Sequence, residues 1–330
     1  MNKNFLIILF FILSFNIKPA VFAESYSLEK ESSDDFGVIK YETSDNLIAF
    51  TNATILGLYS PLLLRDDRNG LWIRPYTSYD KVNIGNGQHV NLTMYGTLAG
   101  FETDLKDLKD DWQAAYIGYT GYRGNKQVYE GEESFSNAGL LGWGASIYNK
   151  DFFGFFAIDT GGGKTSTNYS KDINSISTNA AIRFGYNKNL KNNITIQPNY
   201  IMSYTYAKSF NYRDYNDNFY KTKTLNAIQV IPSLRAYANL KNDWKPFLIV
   251  NMVFPILSNE YTSINNIALP EVSLYPFVEY GGGIQKKWEN NSSAFIQLLI
   301  RNGGRTGLGL LLGFKYPLGK KQDNSIIKKM

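Results

Sequence analysis

From Gly70 to Leu318 the chain alternates apolar and polar residues with a period of two, broken at intervals by clusters of Asn, Asp, Lys and Gly. The stretch from Asn226 to Asn239 shows the pattern. Ile228, Val230, Pro232, Leu234, Ala236 and Ala238 fall on one side of an extended backbone, and Gln229, Ser233, Arg235, Tyr237 and Asn239 on the other. Successive side chains of a strand point to opposite faces, so one face is wholly apolar while its reverse holds an arginine. In a soluble protein the apolar face would meet a core and the polar face water. In a membrane barrel the apolar face meets lipid and the polar face a lumen. The repetition of this pattern predicts an all-β fold: a transmembrane, antiparallel, up-and-down β-barrel of about twelve strands.

The predicted strand windows are 71–82, 90–105, 112–123, 136–148, 152–161, 177–186, 194–210, 226–240, 244–256, 272–286, 293–301 and 307–318. Each meets the roughly 9–11 residues that a tilted strand needs to cross a bilayer. Short Asn-rich joints, at 149–151, 188–193, 241–243 and 289–291, follow the fourth, sixth, eighth and tenth windows. Longer joints, such as 211–224 and 258–271, fall between them. Every even strand therefore ends on one side, as an up-and-down barrel requires, with short turns at one rim and longer loops at the other.

The charged residues Arg74, Glu102, Arg123, Arg183, Arg235, Glu279, Arg301 and Lys315 lie in phase with the polar faces and are the lumen-facing candidates. Pro75, Pro198, Pro232, Pro246 and Pro276 fall on outward positions, where each removes a ladder donor and argues against an unbroken strand.

Upstream, Lys3 precedes an apolar run from Phe5 to Phe15, and Val21-Phe22-Ala23 offers small residues for cleavage after Ala23. This is the pattern of a secretory signal, and the run is short of the roughly 20 residues of a spanning helix. No stretch holds 18 consecutive apolar residues. An exported chain without a spanning helix but with many amphipathic strands points to the Gram-negative outer membrane. The expected division is a signal peptide (1–23), a polar acidic linker (24–44), a helix and turn (45–69), a barrel (70–318) and a basic tail (319–330). Ser44 or Asp45 is placed to cap the helix, and Pro61 to break it near its end.

Composition narrows the function. Of 330 residues 15% are aromatic, 28 are Gly, one is His and none is Cys. The absence of Cys removes disulfides, thiolate chemistry and Cys-based metal sites. A formal charge of +5 gives no basis for a nucleic-acid partner. His89 stands alone in a joint between the first two strands, with no Ser or Asp partner at a recognisable spacing. Gly161-Gly162-Gly163-Lys164-Thr165 has Ile158 where a phosphate loop needs Gly, and reads as a flexible loop. Gly281-Gly282-Gly283 reads as room for a neighbouring ring or a strand bend. Asp107, Lys109, Asp110 and Asp111 read as a solvated cluster. No enzyme activity, cofactor or metal is expected.

Several segments resemble the β-domain of autotransporters. Gly70-Leu71-Trp72-Ile73-Arg74-Pro75-Tyr76 resembles the opening strand, with Trp72 and Arg74 facing inward. Tyr95-Gly96 through Gly100-Phe101-Glu102-Thr103-Asp104 resembles the second, Phe277-Val278-Glu279-Tyr280-Gly281-Gly282 the late strands, and Gly313-Phe314-Lys315-Tyr316 the closing one. The resemblance implies a twelve-stranded barrel threaded by an N-terminal helix, here the segment from Asp45 to Arg65, and a passenger carried to the surface. It also implies outer-membrane lipid, the inner-membrane secretion machinery and the barrel-assembly machinery as partners. Two features depart from the family. Only about twenty residues separate the signal from the helix, so either the passenger is vestigial or the barrel has another use, and Leu318 with a lysine-rich tail replaces the usual terminal aromatic residue. An orphan porin, an adhesin acting through its loops and a hydrolase using His89 are the competing expectations.

Overall fold

A computed structural model of the chain describes residues 70–318, apart from 86–87, 110, 130, 150, 169, 171–172, 191–192, 223, 259–262, 266 and 269–273. The expected signal segment, linker, helix and tail lie outside the described residues. Twelve long strands follow one another: β1 (Gly70–Gly85), β2 (Gln88–Glu102), β3 (Gln113–Tyr129), β4 (Glu132–Tyr148), β5 (Phe152–Thr167), β6 (Ile173–Tyr186), β7 (Ile194–Ser209), β8 (Thr224–Ala238), β9 (Trp244–Ser258), β10 (Phe277–Lys287), β11 (Ser293–Gly303) and β12 (Arg305–Pro317). Each pairs antiparallel with its neighbours in sequence, and β12 returns to pair with β1 from Gly70↔Pro317 to Val82↔Arg305. The sheet closes on itself, so the barrel has no free edge.

The register fixes the barrel's geometry. From Tyr76, one row of paired residues runs through Gly96, Arg123, Ala138, Gly163 and Ser175 to Ser209. In the other direction it runs through Leu311, Gln297, Gly283, Phe247 and Tyr237 to Thr195. Both ends of the row arrive on β7, and Ser209 and Thr195 are 14 residues apart. Twelve strands with this stagger tilt by about 40° from the barrel axis.

Burial alternates along every strand. On β1 the even positions from Trp72 to Val82 are buried and the odd positions from Leu71 to Lys81 exposed. The exposed face carries Leu141, Trp143, Leu248, Leu298 and Leu308, each at least half exposed. Aromatic residues edge this apolar band, with Phe101, Tyr116, Phe152, Trp244 and Tyr316 toward the short-turn rim and Tyr79, Tyr95, Tyr122 and Tyr204 toward the other. Apart from Lys286 at the short-turn rim, no outward-facing strand residue of the band is charged. Such a surface is stable only when hydrocarbon covers it.

The turns explain their own sequences. Asp111, Asn193, Asn242, Asp243 and Asn291, all at the short-turn rim, hold positive φ between 56° and 64°. Asn and Asp tolerate this left-handed conformation because their side chains bond locally to the backbone.

Two of the outward prolines, Pro75 and Pro232, interrupt a ladder without shifting it. At Pro75 the pairing with β12 lapses between Ile73↔Phe314 and Tyr76↔Leu311, then resumes in the same register. Pro232 does the same to β8 and β9 between Val230↔Phe254 and Ser233↔Asn251.

At the opposite rim the structure differs from the sequence reading. The residues 124–135, expected as a joint, continue the β3–β4 hairpin to Tyr129↔Glu132. Gly161–Thr165, expected as a flexible loop, lies inside β5 and pairs with β6. His89, expected in a joint, is paired with Asn83 and exposed. The alternation weakens there because both faces become polar, while the ladder itself continues. A separate four-stranded sheet joins the two longest connections, with Tyr220↔Ile264 and Lys221↔Ser263 linking Phe219–Lys221 to Ser263–Ile264. Asp214 holds this sheet. Its carboxylate accepts hydrogen bonds from the Asn216 and Asn218 backbone amides, the Asn218 side chain and the Tyr220 hydroxyl.

Bulky inner side chains are seated on glycine. Trp72, Tyr76, Tyr119, Phe153, Phe247 and Phe295 are each paired across strands with a glycine, namely Gly100, Gly96, Gly142, Gly185, Gly283 and Gly313. A Cβ at Gly313 would lie 1.9 Å from the Phe295 ring. Gly313→Val is therefore expected to destabilise the barrel by about 1–3 kcal/mol, read as a lower urea midpoint in lipid vesicles. Phe295→Leu in the same chain is expected to recover most of that loss, and an unchanged midpoint for Gly313→Val contradicts the packing. Burial penalises the Asp214 carboxylate, but the bonds from Asn218, Tyr220 and Asn216 outweigh it and hold its pKa below the usual carboxylate value. A depressed folded-state pKa contributes stability above the unfolded value that is lost as pH falls through the folded one. Proteolysis of the 210–223 connection is thus expected to quicken only below the ordinary carboxylate range, and Asp214→Asn to show the fast rate at neutral pH.

Candidate functional site: the barrel interior

The inner wall is built from the buried half of each strand. Trp72, Arg74, Glu102, Arg123, Arg183, Arg235, Glu279, Arg301 and Lys315 are all buried there, at 0–6% exposure. They come from eight strands and do not converge on one point. Among the described residues seven basic and four acidic side chains are buried, so the interior carries a formal charge of +3.

The largest group straddles the β12–β1 seam. Arg301 donates from Nη1 to Asp80 at 2.9 Å and from Nε to Glu279 at 2.8 Å, while Arg305 Nη2 reaches the other oxygen of Asp80 at 2.5 Å. Ser78 donates to Asp80 at 2.9 Å and Asn251 to Glu279 at 2.8 Å. The two acids and two arginines balance, and together they tie β9, β10, β11 and β12 to β1. Asp80 and Arg305 were not among the candidates. Asp80 has the same parity as Arg74 on β1, which is the signal that identifies it, whereas Arg305 precedes the predicted twelfth window.

Nearer the short-turn rim, Lys315 on β12 donates to Glu102 on β2 at 2.7 Å, passing over Gly70 of β1. The Arg74 guanidinium lies 4.0 Å from the Trp72 ring. On the far wall Arg183 donates to Asn199 at 2.9 Å and stands 5.1 Å over Phe153. Asp159 accepts from Tyr119 at 3.0 Å and from Asn179 at 2.7 Å. Arg235 stands 5.8 Å over Phe247, and its Nε and Nη1 find no partner among the described residues.

The interior is not uniformly polar, as the alternation had implied. Leu98, Ile117, Leu140, Phe155, Ile201, Ile231, Val253 and Phe277 form, with Trp72 and Tyr119, an apolar belt around the inner wall from β1 to β10. A lumen holding only water would leave such a belt unfavourably wet. Two-residue alternation could not reveal it, because each member sits at a position otherwise read as polar. Among the described residues no cluster of His, Asp or Glu is arranged to hold a metal ion.

No family model matches the sequence, and no curated protein matches it. Solved structures do match. The β-domain of the Bordetella autotransporter BrkA aligns with a TM-score of 0.65 at 14% identity, over 76% of this chain and 100% of that one. The transport unit of the autotransporter AIDA-I from Escherichia coli aligns at 0.65 with 15% identity, over 84% and 99%. The translocator domain of NalP from Neisseria meningitidis aligns at 0.63 with 9% identity, over 84% and 99%. The chain has the fold of an autotransporter β-domain. At these identities the likeness is one of architecture, namely twelve strands wound as one closed wall. Within that β-domain fold the seam-spanning charge group is carried by this chain's own residues.

Removing one partner of a buried ion pair leaves the other charge desolvated. Asp80→Asn is expected to cost about 3–5 kcal/mol in barrel stability. Glu133→Gln, which breaks the half-exposed Lys126–Glu133 pair at the far rim, is expected to cost less than about 1 kcal/mol. Equal losses for the two variants contradict the buried placement of Asp80.

Proposed function

We propose that this chain is an autotransporter-type barrel of the Gram-negative outer membrane, translocating or anchoring its N-terminal segment at the cell surface. Its work is mechanical rather than enzymatic. The observation that carries this reading is the closed twelve-strand wall with an uncharged apolar exterior, in the architecture shared with three translocator barrels. The apolar belt and basic inner wall add support, because a segment bearing both apolar and acidic residues suits them. The sequence supplies both just upstream: Leu47, Ile48, Ile55 and Leu58 in the expected helix, and Glu29, Glu31, Asp34, Asp35 and Glu42 in the expected linker. Export by a signal cleaved after Ala23, and insertion by the barrel-assembly machinery, complete the proposal.

An orphan pore is the alternative, favoured by the excess of buried basic residues, which would make an open lumen anion-selective. An epitope inserted after Glu31 separates the two. On intact cells it is expected to be reached by antibody, and strictly periplasmic location contradicts the proposal. Deleting residues 45–65 is expected to enlarge single-channel openings in planar bilayers. Unchanged conductance removes the idea that this segment fills the lumen.

A further inference from the structure

The apolar exterior ends sharply at the long-loop rim, and the first charges above it are lysines. Lys81 on β1, Lys126 on β3, Lys164 on β5 and Lys208 on β7 all occupy outward positions. Relative to the row through Tyr76, Arg123, Gly163 and Ser209, they sit five residues outward, three outward, one outward and one inward. They thus step back two residues at each alternate strand. The row itself climbs 14 residues over twelve strands, which is about 2.3 per two strands. The two drifts cancel, and the four ammonium groups lie at one height on one side of the barrel.

We propose that this lysine arc binds phosphate-bearing headgroups of glycolipid in the outer leaflet, which rests on the outer-membrane reading above. Three observations support it. The arc stands two residues above Tyr79 on β1 and four above Tyr122 on β3 and Tyr204 on β7, at the level where acyl chains give way to headgroups. Among the described outward residues at this rim of the strands, Glu133 is the only acid, and it is paired with Lys126 at 2.5 Å. The arc is one-sided, since β8–β12 present Asn226, Asn302 and Thr306 outward near this height. β1–β7 also continue above the band as a wall of strands 14–17 residues long, against 11–13 for β10–β12. Lysines evenly spaced along such a wall supply charge-assisted hydrogen bonds to phosphate while their stems lie along apolar surface.

The test uses the full chain folded in detergent. Binding of a bis-phosphorylated glucosamine glycolipid is followed by native mass spectrometry. Its dephosphorylated counterpart and inorganic phosphate serve as separate probes. The variant Lys81→Gln/Lys126→Gln/Lys164→Gln/Lys208→Gln is compared with Lys106→Gln/Lys109→Gln/Lys188→Gln/Lys241→Gln, which removes the same charge at the short-turn rim. The wild-type and control proteins are expected to retain the phosphorylated glycolipid. The arc variant is expected to lose affinity by tenfold or more. Equal binding by the arc variant, equal binding of the dephosphorylated lipid, or inorganic phosphate binding as tightly as the glycolipid each overturns the proposal. Heat-modifiable migration reports folding, and Lys164→Gln/Lys208→Gln, expected to lose a smaller share, serves if the fourfold variant does not fold. Normal surface exposure of the Glu31 epitope together with unchanged lipid binding in the arc variant sinks this inference and leaves the translocator reading standing.

Discussion

Hydrocarbon cannot hydrogen-bond to a peptide, and that constraint governs this molecule. Every backbone N–H and C=O at the depth of the acyl chains must find a partner within the protein. A sheet meets this demand only by closing, and here it closes through the antiparallel pairing of β12 with β1. The seam is also where the interior charges are densest. Asn251, Glu279, Arg301 and Arg305 link the last four strands to Asp80 on the first. The strands joined latest in chain order are thus held both by the ladder and by desolvated ion pairs. In a soluble domain such pairs would gain little over a well-packed apolar cluster. In this barrel apolar residues are needed outside, and at the seam the buried acids and arginines neutralise one another.

The same inversion explains the glycines. A sheet bent into a barrel crowds side chains on its concave face. Large rings on that face fit where the paired residue across the strand is glycine, as with Phe295 over Gly313 and Tyr119 over Gly142. Large inner rings and glycines therefore occur as cross-strand pairs, while the outward aromatic residues answer to the bilayer interfaces.

Much of the architecture was legible in the chain because its period is unambiguous where one face is wholly apolar. Along β8 and β11 the outward Ile228, Leu234, Ile296 and Leu298 alternate with inward Gln229, Arg235, Phe295 and Gln297, and strand, face and direction all follow. Legibility failed where the contrast between faces vanished. Beyond the outer girdle both sides of β3, β4 and β5 are polar, so ladders through Lys126, Ser134 and Thr165 read as loops. Inside, Leu98, Ile117 and Ile201 broke the expected rule in the other direction, because a lumen wall need not be polar everywhere. The heights of residues on different strands could not be read from sequence at all. They depend on the stagger of 14 residues around the barrel, which only the full set of pairings defines, and the alignment of Lys81, Lys126, Lys164 and Lys208 is visible only through it.

The central claim is that lipid, not protein or water, covers the outward positions. The chain has no cysteine, so single cysteines can be placed one at a time from Ala294 to Arg301 on β11 and spin-labelled in vesicles. Collision with oxygen, which partitions into acyl chains, is expected to be high at 296, 298 and 300 and low at 295, 297, 299 and 301. A profile without this alternation, or one with its peaks at the odd positions, contradicts the account.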